Sequence, residues 1–226
     1  MAAALTLYRS TIGKKAIMAI TGFIGYGFVI LHMVGNLHIF EGPAEFNHYA
    51  EFLRTIGTPV LPERGLLWIL RVVLLASVIL HVTAAVQLTR LDWASRPQGY
   101  RQTKRKQATF ASMTLRWGGI AIFFFLIYHL AHFTFGVGIP NFAGHESAYQ
   151  NVVTGFSNPI NVALYIVAVG ALGMHLYHGV WSMFQTLGLN GARTDGFWRG
   201  LAALSGILLF LGFSTVPIAV ITGVVR

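Results

Sequence analysis

The chain has 226 residues, of which 55% are hydrophobic and only 10% are charged. A soluble domain usually carries about 25% charged residues, so this composition excludes an ordinary water-soluble globular protein. The formal net charge is +9, but the basic residues flank long apolar runs, which favours contact with lipid headgroups over nucleic-acid binding.

Five apolar runs are long enough to cross a membrane, because a spanning helix needs about 20 mainly apolar residues. Pro and Gly mark several of the breaks between them. We predict an all-α integral membrane bundle of five transmembrane helices that forms a single domain over residues 1–226. In chain order the spans are Ala16–Phe40, Gly65–Leu88, Trp117–Ile139, Ile160–Leu189 and Arg199–Val225.

The connections predict the orientation of the bundle. Basic residues collect before the first span and between the second and third spans, whereas the opposite connections carry most of the acidic residues. The positive-inside rule therefore places the N-terminus in the cytoplasm and the C-terminus outside. The basic residues are Arg9, Lys14, Lys15, Arg90, Arg96, Arg101, Lys104, Arg105, Lys106 and Arg193, and the acidic ones are Glu41, Glu45, Glu51, Glu63 and Glu146.

Histidines are concentrated in the first four spans, and ionisable groups inside a membrane are usually functional. With a helix rise of about 1.5 Å per residue, His32 and His129 lie roughly 24 and 18 Å from the cytoplasmic side. His81 and His175 lie roughly 24 and 22 Å from the outer side. The depths predict two pairs, His32 with His129 in the outer half and His81 with His175 in the inner half, about 14 Å apart. His132 and His178 remain alternatives, and His38 is a weaker candidate.

Paired imidazoles in a helical bundle suit the two axial positions of a haem iron. The chain has no cysteine, which excludes iron–sulfur ligation by this chain and covalent c-type haem attachment. Glycines in TGFIGYG and GALG would let a macrocycle approach, although the glycines alone favour close helix packing as their explanation.

Four separated stretches carry a resemblance that covers nearly the whole chain. STIGKKAIMAITGF with LHMVGNLHIFEGPAEFNHYAEFL, then ILHVTAAVQL, IYHLAHFTFG and MHLYHGVWSMFQTLG, occur in the order seen in cytochrome b subunits of succinate:quinone oxidoreductases. The chain most resembles the single-subunit, five-helix, two-haem type, which includes fumarate reductases.

The resemblance implies two b haems, with metal ligands His81 and His175 on the cytoplasmic side and His32 and His129 on the outer side. It also implies partners that hold flavin and iron–sulfur clusters, a membrane quinone as electron acceptor, often menaquinone in this class, and a multi-pass location in the inner cell membrane. His132 and His178 would then be packing residues or neighbours of the ligands.

Two other functions stay open at this point. One is the diheme cytochrome b subunit of a hydrogenase or formate dehydrogenase. The other is a haem-free transporter that uses histidines as a proton relay.

Arg71 lies about 9 Å inside the outer end of the second span, where an unpaired cation is costly. It would bind a propionate of the outer haem, or its long side chain would reach the headgroups.

Overall fold

Helices form most of the computed structural model, which describes residues 10–95 and 110–226, with only the backbone described for 110–114. No strand occurs within these ranges, which confirms the all-α prediction. In chain order the helices are α1 (Thr11–Leu37), a short 3₁₀ helix (His38–Glu41), α2 (Pro43–Thr55), α3 (Gly65–Ala94), α4 (Phe110–Phe135), α5 (Ala148–Phe156), α6 (Pro159–Thr186) and α7 (Asp195–Ile221).

Five of these helices, α1, α3, α4, α6 and α7, are long and apolar enough to cross a membrane. Large apolar side chains such as Trp68, Val72 and Leu75 of α3 are exposed. Water does not tolerate continuous apolar surface of this kind, whereas lipid does. The predicted membrane bundle of five spans is therefore confirmed.

The ends of several helices differ from the prediction. The first helix begins at Thr11, because the Ser10 side chain accepts a hydrogen bond of 3.0 Å from the Gly13 N–H and caps it. The third spanning helix ends at Phe135 rather than at Ile139, since Gly136 adopts a φ of 71° and turns the chain. These caps shift the boundaries without changing the number of spans.

Two short helices, α2 and α5, lie in the connections predicted to be outside, and the sequence analysis did not predict them. Asn47 joins them: its amide nitrogen donates to the Ser147 hydroxyl at 3.3 Å, and its oxygen accepts from the Tyr149 N–H at 3.0 Å. Phe46 and Tyr149 enter an apolar cluster with residues near the end of α7, among them Val220. The short helices thus cover the end of the bundle that is predicted to be outside.

Backbone packing is close for some helix pairs and not for others. α6 packs against α7, α4 and α1, and α1 also packs against α3 and α7. At the α6–α7 crossing, a Cβ on Gly206 would lie 2.7 Å from the Gly173 carbonyl oxygen. Gly173 is the last glycine of GALG, and it therefore serves helix packing. Among the described residues, α1 with α4 and α3 with α6 are not close-packed pairs.

Candidate functional site

The loosely packed helix pairs are the ones that carry the predicted histidine pairs. His32 of α1 faces His129 of α4 with ring centroids 5.8 Å apart and an angle of 79° between the ring planes. His81 of α3 faces His175 of α6 with centroids 6.3 Å apart and an angle of 61°. We call these the outer pair (His32, His129) and the inner pair (His81, His175). The structure brings together the histidines that helix depth paired.

Each pair includes a ring whose Nδ1 contacts a hydroxyl. In the inner pair the ring is that of His81, and the hydroxyl belongs to Thr21 of α1, whose Oγ1 lies 3.2 Å from His81 Nδ1. The Thr21 hydroxyl donates its one hydrogen to the Ile17 carbonyl at 2.7 Å, so it accepts from His81. His81 therefore carries its hydrogen on Nδ1, and the lone pair of Nε2 remains free for a ligand bond.

For the outer pair the hydroxyl belongs to Tyr165 of α6. Its Oη lies 3.2 Å from His129 Nδ1 and 3.0 Å from His132 Nδ1. The second ring nitrogen of His132 lies 3.3 Å from the Asn161 amide nitrogen. His132 is 1% exposed, so it is buried with protein partners on both nitrogens. The four paired histidines, by contrast, are half-buried residues.

The remaining candidate residues lie apart from the pairs. His38 is in the 3₁₀ helix, where its Nδ1 contacts Glu41 at 2.9 Å and its ring stacks on Tyr49 at 4.5 Å. The His178 ring lies 6.0 Å from the Trp181 ring. Arg71 is exposed, and its guanidinium lies 4.9 Å from the Trp68 ring centroid.

A sequence model of the succinate dehydrogenase/fumarate reductase transmembrane subunit matches residues 100–215, just over half of the chain. The chain belongs to this family. It is therefore a membrane subunit of the succinate dehydrogenase/fumarate reductase type. Searches of curated proteins and of solved structures gave no match. The matched region contains His129 and His175, one member of each histidine pair.

The residues of this transmembrane subunit fit the haem that the resemblance implies. Two imidazoles on opposite sides of one metal ion have centroids about 6 Å apart, since a metal–nitrogen bond is about 2 Å long. Both pairs have this spacing. In addition, His175 Nδ1 is buried and has no hydrogen-bond partner among the described residues, so no hydrogen bond at this nitrogen fixes the ring in another orientation.

Glycines lie beside the inner pair of the transmembrane subunit. A Cβ on Gly22 of α1 would lie 3.4 Å from His81 Cε1, and one on Gly119 of α4 would lie 3.7 Å from His175 Cε1. Gly25, also in TGFIGYG, has open space around its Cβ position. These positions leave flat faces beside the rings, which is the room that a macrocycle needs. Close helix packing explains Gly173, whereas the macrocycle remains a candidate explanation for the glycines beside the inner pair.

A polar cluster at the inner ends of α6 and α7 was not predicted. The Asp195 carboxylate accepts from Trp181 Nε1 and Asn190 Nδ2, both at 2.9 Å, and from Arg199 Nε at 2.7 Å. The Arg199 guanidinium also lies 4.0 Å from the Trp181 ring centroid.

Trp181 and Arg199 line a small cleft together with Tyr177 and His178. The cluster joins the two helices one or two turns from His175.

The sequence analysis also missed Thr21, Tyr165 and Asn161, which are the polar partners of the histidines. A helical spacing could have found part of this set. Tyr128 and His132 are four residues apart on α4, and Asn161 and Tyr165 are four residues apart on α6. Residues with this spacing share one face of a helix. Two polar pairs on apolar spans therefore indicate polar faces directed toward each other.

Proposed function

We propose that this chain is the diheme cytochrome b subunit of a succinate:quinone oxidoreductase and passes electrons between a cytoplasmic iron–sulfur subunit and a membrane quinone. One observation carries the proposal: two histidine pairs face each other ring to ring, on four helices that do not close-pack across either pair. Helix rise predicts that the two pairs lie at two depths. Family membership supplies the type of complex, and the pairs supply the reason to assign two haems.

Each histidine has a defined part in this proposal. His81 and His175 hold the inner haem, and His32 and His129 hold the outer one. A haem with two histidine ligands carries one electron at a time, and its surroundings set its potential. The apolar side chains of the spans limit access of water, while Thr21 and Tyr165 orient one ring of each pair.

The proposed partners follow from what the chain lacks and from its family. With no cysteine it cannot hold iron–sulfur clusters through thiolates, so these clusters belong to a separate subunit, and succinate reacts on a flavoprotein subunit. We propose the inner cell membrane as the location and menaquinone as one acceptor to test. The stretch from Arg9 to Lys15, at the start of the first helix, is one candidate for contact with quinone, and Arg9 lies outside the described residues.

The test is purification of the whole complex through a tag on this chain. A pyridine haemochrome assay should give about two haems per copy, as two pairs of axial ligands require, and a co-purifying subunit should contain covalent flavin. About one haem per copy would overturn one of the two pairs. A complex with nickel or molybdopterin would indicate a hydrogenase or formate dehydrogenase instead, and a colourless protein would indicate the transporter.

A further inference from the structure

A buried chain of polar side chains ends at the outer pair. Asn161 of α6 contacts His132, His132 contacts Tyr165, and Tyr165 contacts His129. His132 is 1% exposed and Tyr165 is 6% exposed. Because buried polar atoms need hydrogen-bond partners, the direction of each bond in the chain can be assigned from the groups at its far end.

The assignment begins with Asn161. Its amide nitrogen donates to the Gly155 carbonyl at 2.9 Å, and a carbonyl can only accept. Its oxygen accordingly accepts from the Tyr128 hydroxyl at 3.0 Å. The same amide nitrogen faces His132 Nε2 at 3.3 Å, so this ring nitrogen is an acceptor. His132 therefore carries its hydrogen on Nδ1 and donates it to the Tyr165 oxygen.

The second bond of Tyr165 follows from the ligand role of His129, and this step rests on the proposed function. A neutral histidine that binds iron through Nε2 keeps its hydrogen on Nδ1. His129 then donates this hydrogen to the Tyr165 oxygen, which has two lone pairs and accepts from both histidines. The hydrogen of the Tyr165 hydroxyl is then the one donor of this network that has no acceptor among the described residues. Such a bond fixes the ring and increases the electron density that the ligand gives to the metal.

We propose that Tyr165 is a positioning residue for His129 that lowers the potential of the outer haem, and that His132 weakens this effect by donating to the same oxygen. Thr21 has the corresponding place beside His81, but it accepts from one histidine only and gives its hydrogen to a backbone carbonyl. The two pairs thus differ in how much electron density their ligands receive from neighbouring groups.

The first experiment is Tyr165→Phe in the complete complex, with both haems titrated by absorbance against applied potential. The variant keeps the ring and removes the acceptor, so the midpoint potential of the outer haem should rise while that of the inner haem stays constant. The outer haem is identified as the one that remains in His175→Ala. Thr21→Val is the matched control and should raise the potential of the inner haem alone.

The second variant, His132→Leu, gives the decisive sign. It removes the competing donor, so Tyr165 accepts more strongly from His129, and the potential of the outer haem should fall. Loss of packing alone would not give opposite shifts in the two variants. Equal potentials in Tyr165→Phe and wild type, or shifts of the same sign in both variants, would overturn the proposal.

Failure of a variant to assemble and failure of the proposed function give results that differ from the shifts above. If Tyr165→Phe does not assemble, His132→Leu decides alone, because a fall supports the proposal and a rise or no change overturns it. A wild-type complex without two haems would instead refute the proposed function, and this is measured before any variant is compared.

Discussion

His175 and His178 lie one turn apart on α6, yet their rings have different surroundings. His175 faces His81 across 6.3 Å and has a buried nitrogen with no partner in the described part of the chain. His178 lies beside Trp181 and the cleft at the inner end of α6 and α7. The contacts therefore separate two residues that depth alone left nearly equivalent.

This difference predicts unequal effects of substitution. His175→Ala should reduce the haem content from about two to about one per chain, since a haem with bis-histidine ligation loses an axial ligand. His178→Ala should keep both haems. Haemochrome assays and reduced-minus-oxidised spectra of the two purified variants provide the comparison, and the reverse pattern would exchange the roles of the two residues.

Substitution of Arg71 tests the potential of the outer haem, at the other end of the bundle. Its guanidinium contacts the Trp68 ring, and within the described residues it forms no ion pair. If it binds a propionate of the outer haem, Arg71→Leu should lower the midpoint potential of that haem, because loss of a nearby cation favours the more positive oxidised iron. A fully assembled variant with unchanged potential would show that the Arg71 side chain reaches the lipid headgroups and does not bind the propionate.

At the scale of helices, the α6–α7 crossing has the closest backbone approach that we describe. A Cβ on Gly206 would lie 2.7 Å from the Gly173 oxygen, whereas a Cβ on Gly200 of the same helix meets nothing within 4 Å. Gly206→Ala should thus destabilise the bundle by about 1–3 kcal/mol through overpacking.

Gly200→Ala is the matched control, and it should be neutral or stabilise by up to about 1 kcal/mol through helix propensity. Thermal unfolding in detergent, followed by circular dichroism, compares the two variants. Equal stability in both would mean that the crossing adapts without cost.

The sequence predicts the spanning helices well because membrane spans are defined by length and composition. It does not reveal α2 and α5, whose apolar residues are few and whose packing partners lie far away in sequence. Local features were present: Pro43 stands at the first position of α2, and Ser147 with Gln150 forms part of a capping box before α5. Such features predict a helix only together with tertiary contacts.

The candidate site also has one part that the sequence predicts and another that depends on tertiary packing. Depth along a helix is a property of the sequence, so the first span could be paired with the third, and the second with the fourth, in advance. Depth does not choose between His129 and His132, or between His175 and His178. Rotation of a helix about its own axis depends on packing. The contact between Tyr165 and His129 spans 36 positions in the chain and requires a particular face of α6 toward α4, which depth cannot supply.

For the whole molecule, the orientation remains a prediction that the absence of native cysteine makes easy to test. Glu146→Cys lies in a connection predicted to be outside, and Ser95→Cys lies at the predicted cytoplasmic end of α3. A membrane-impermeant maleimide should label Glu146→Cys in intact cells and Ser95→Cys only after permeabilisation. Labelling in the opposite order would invert the assignment of inner and outer pairs.

The stacking of the two pairs across the membrane has an electrical consequence. Helix rise predicts a difference in depth of about 14 Å between them, nearly half of a hydrocarbon core about 30 Å thick. One charge that crosses the full membrane gains or loses about 2.3 kcal/mol per 100 mV, so an electron moving between the haems would sense about 1 kcal/mol per 100 mV. A cytoplasm held negative favours transfer from the inner haem to the outer one and opposes the return. In a chain that holds the two proposed haems, their relative occupancy by electrons should therefore follow the voltage across the membrane.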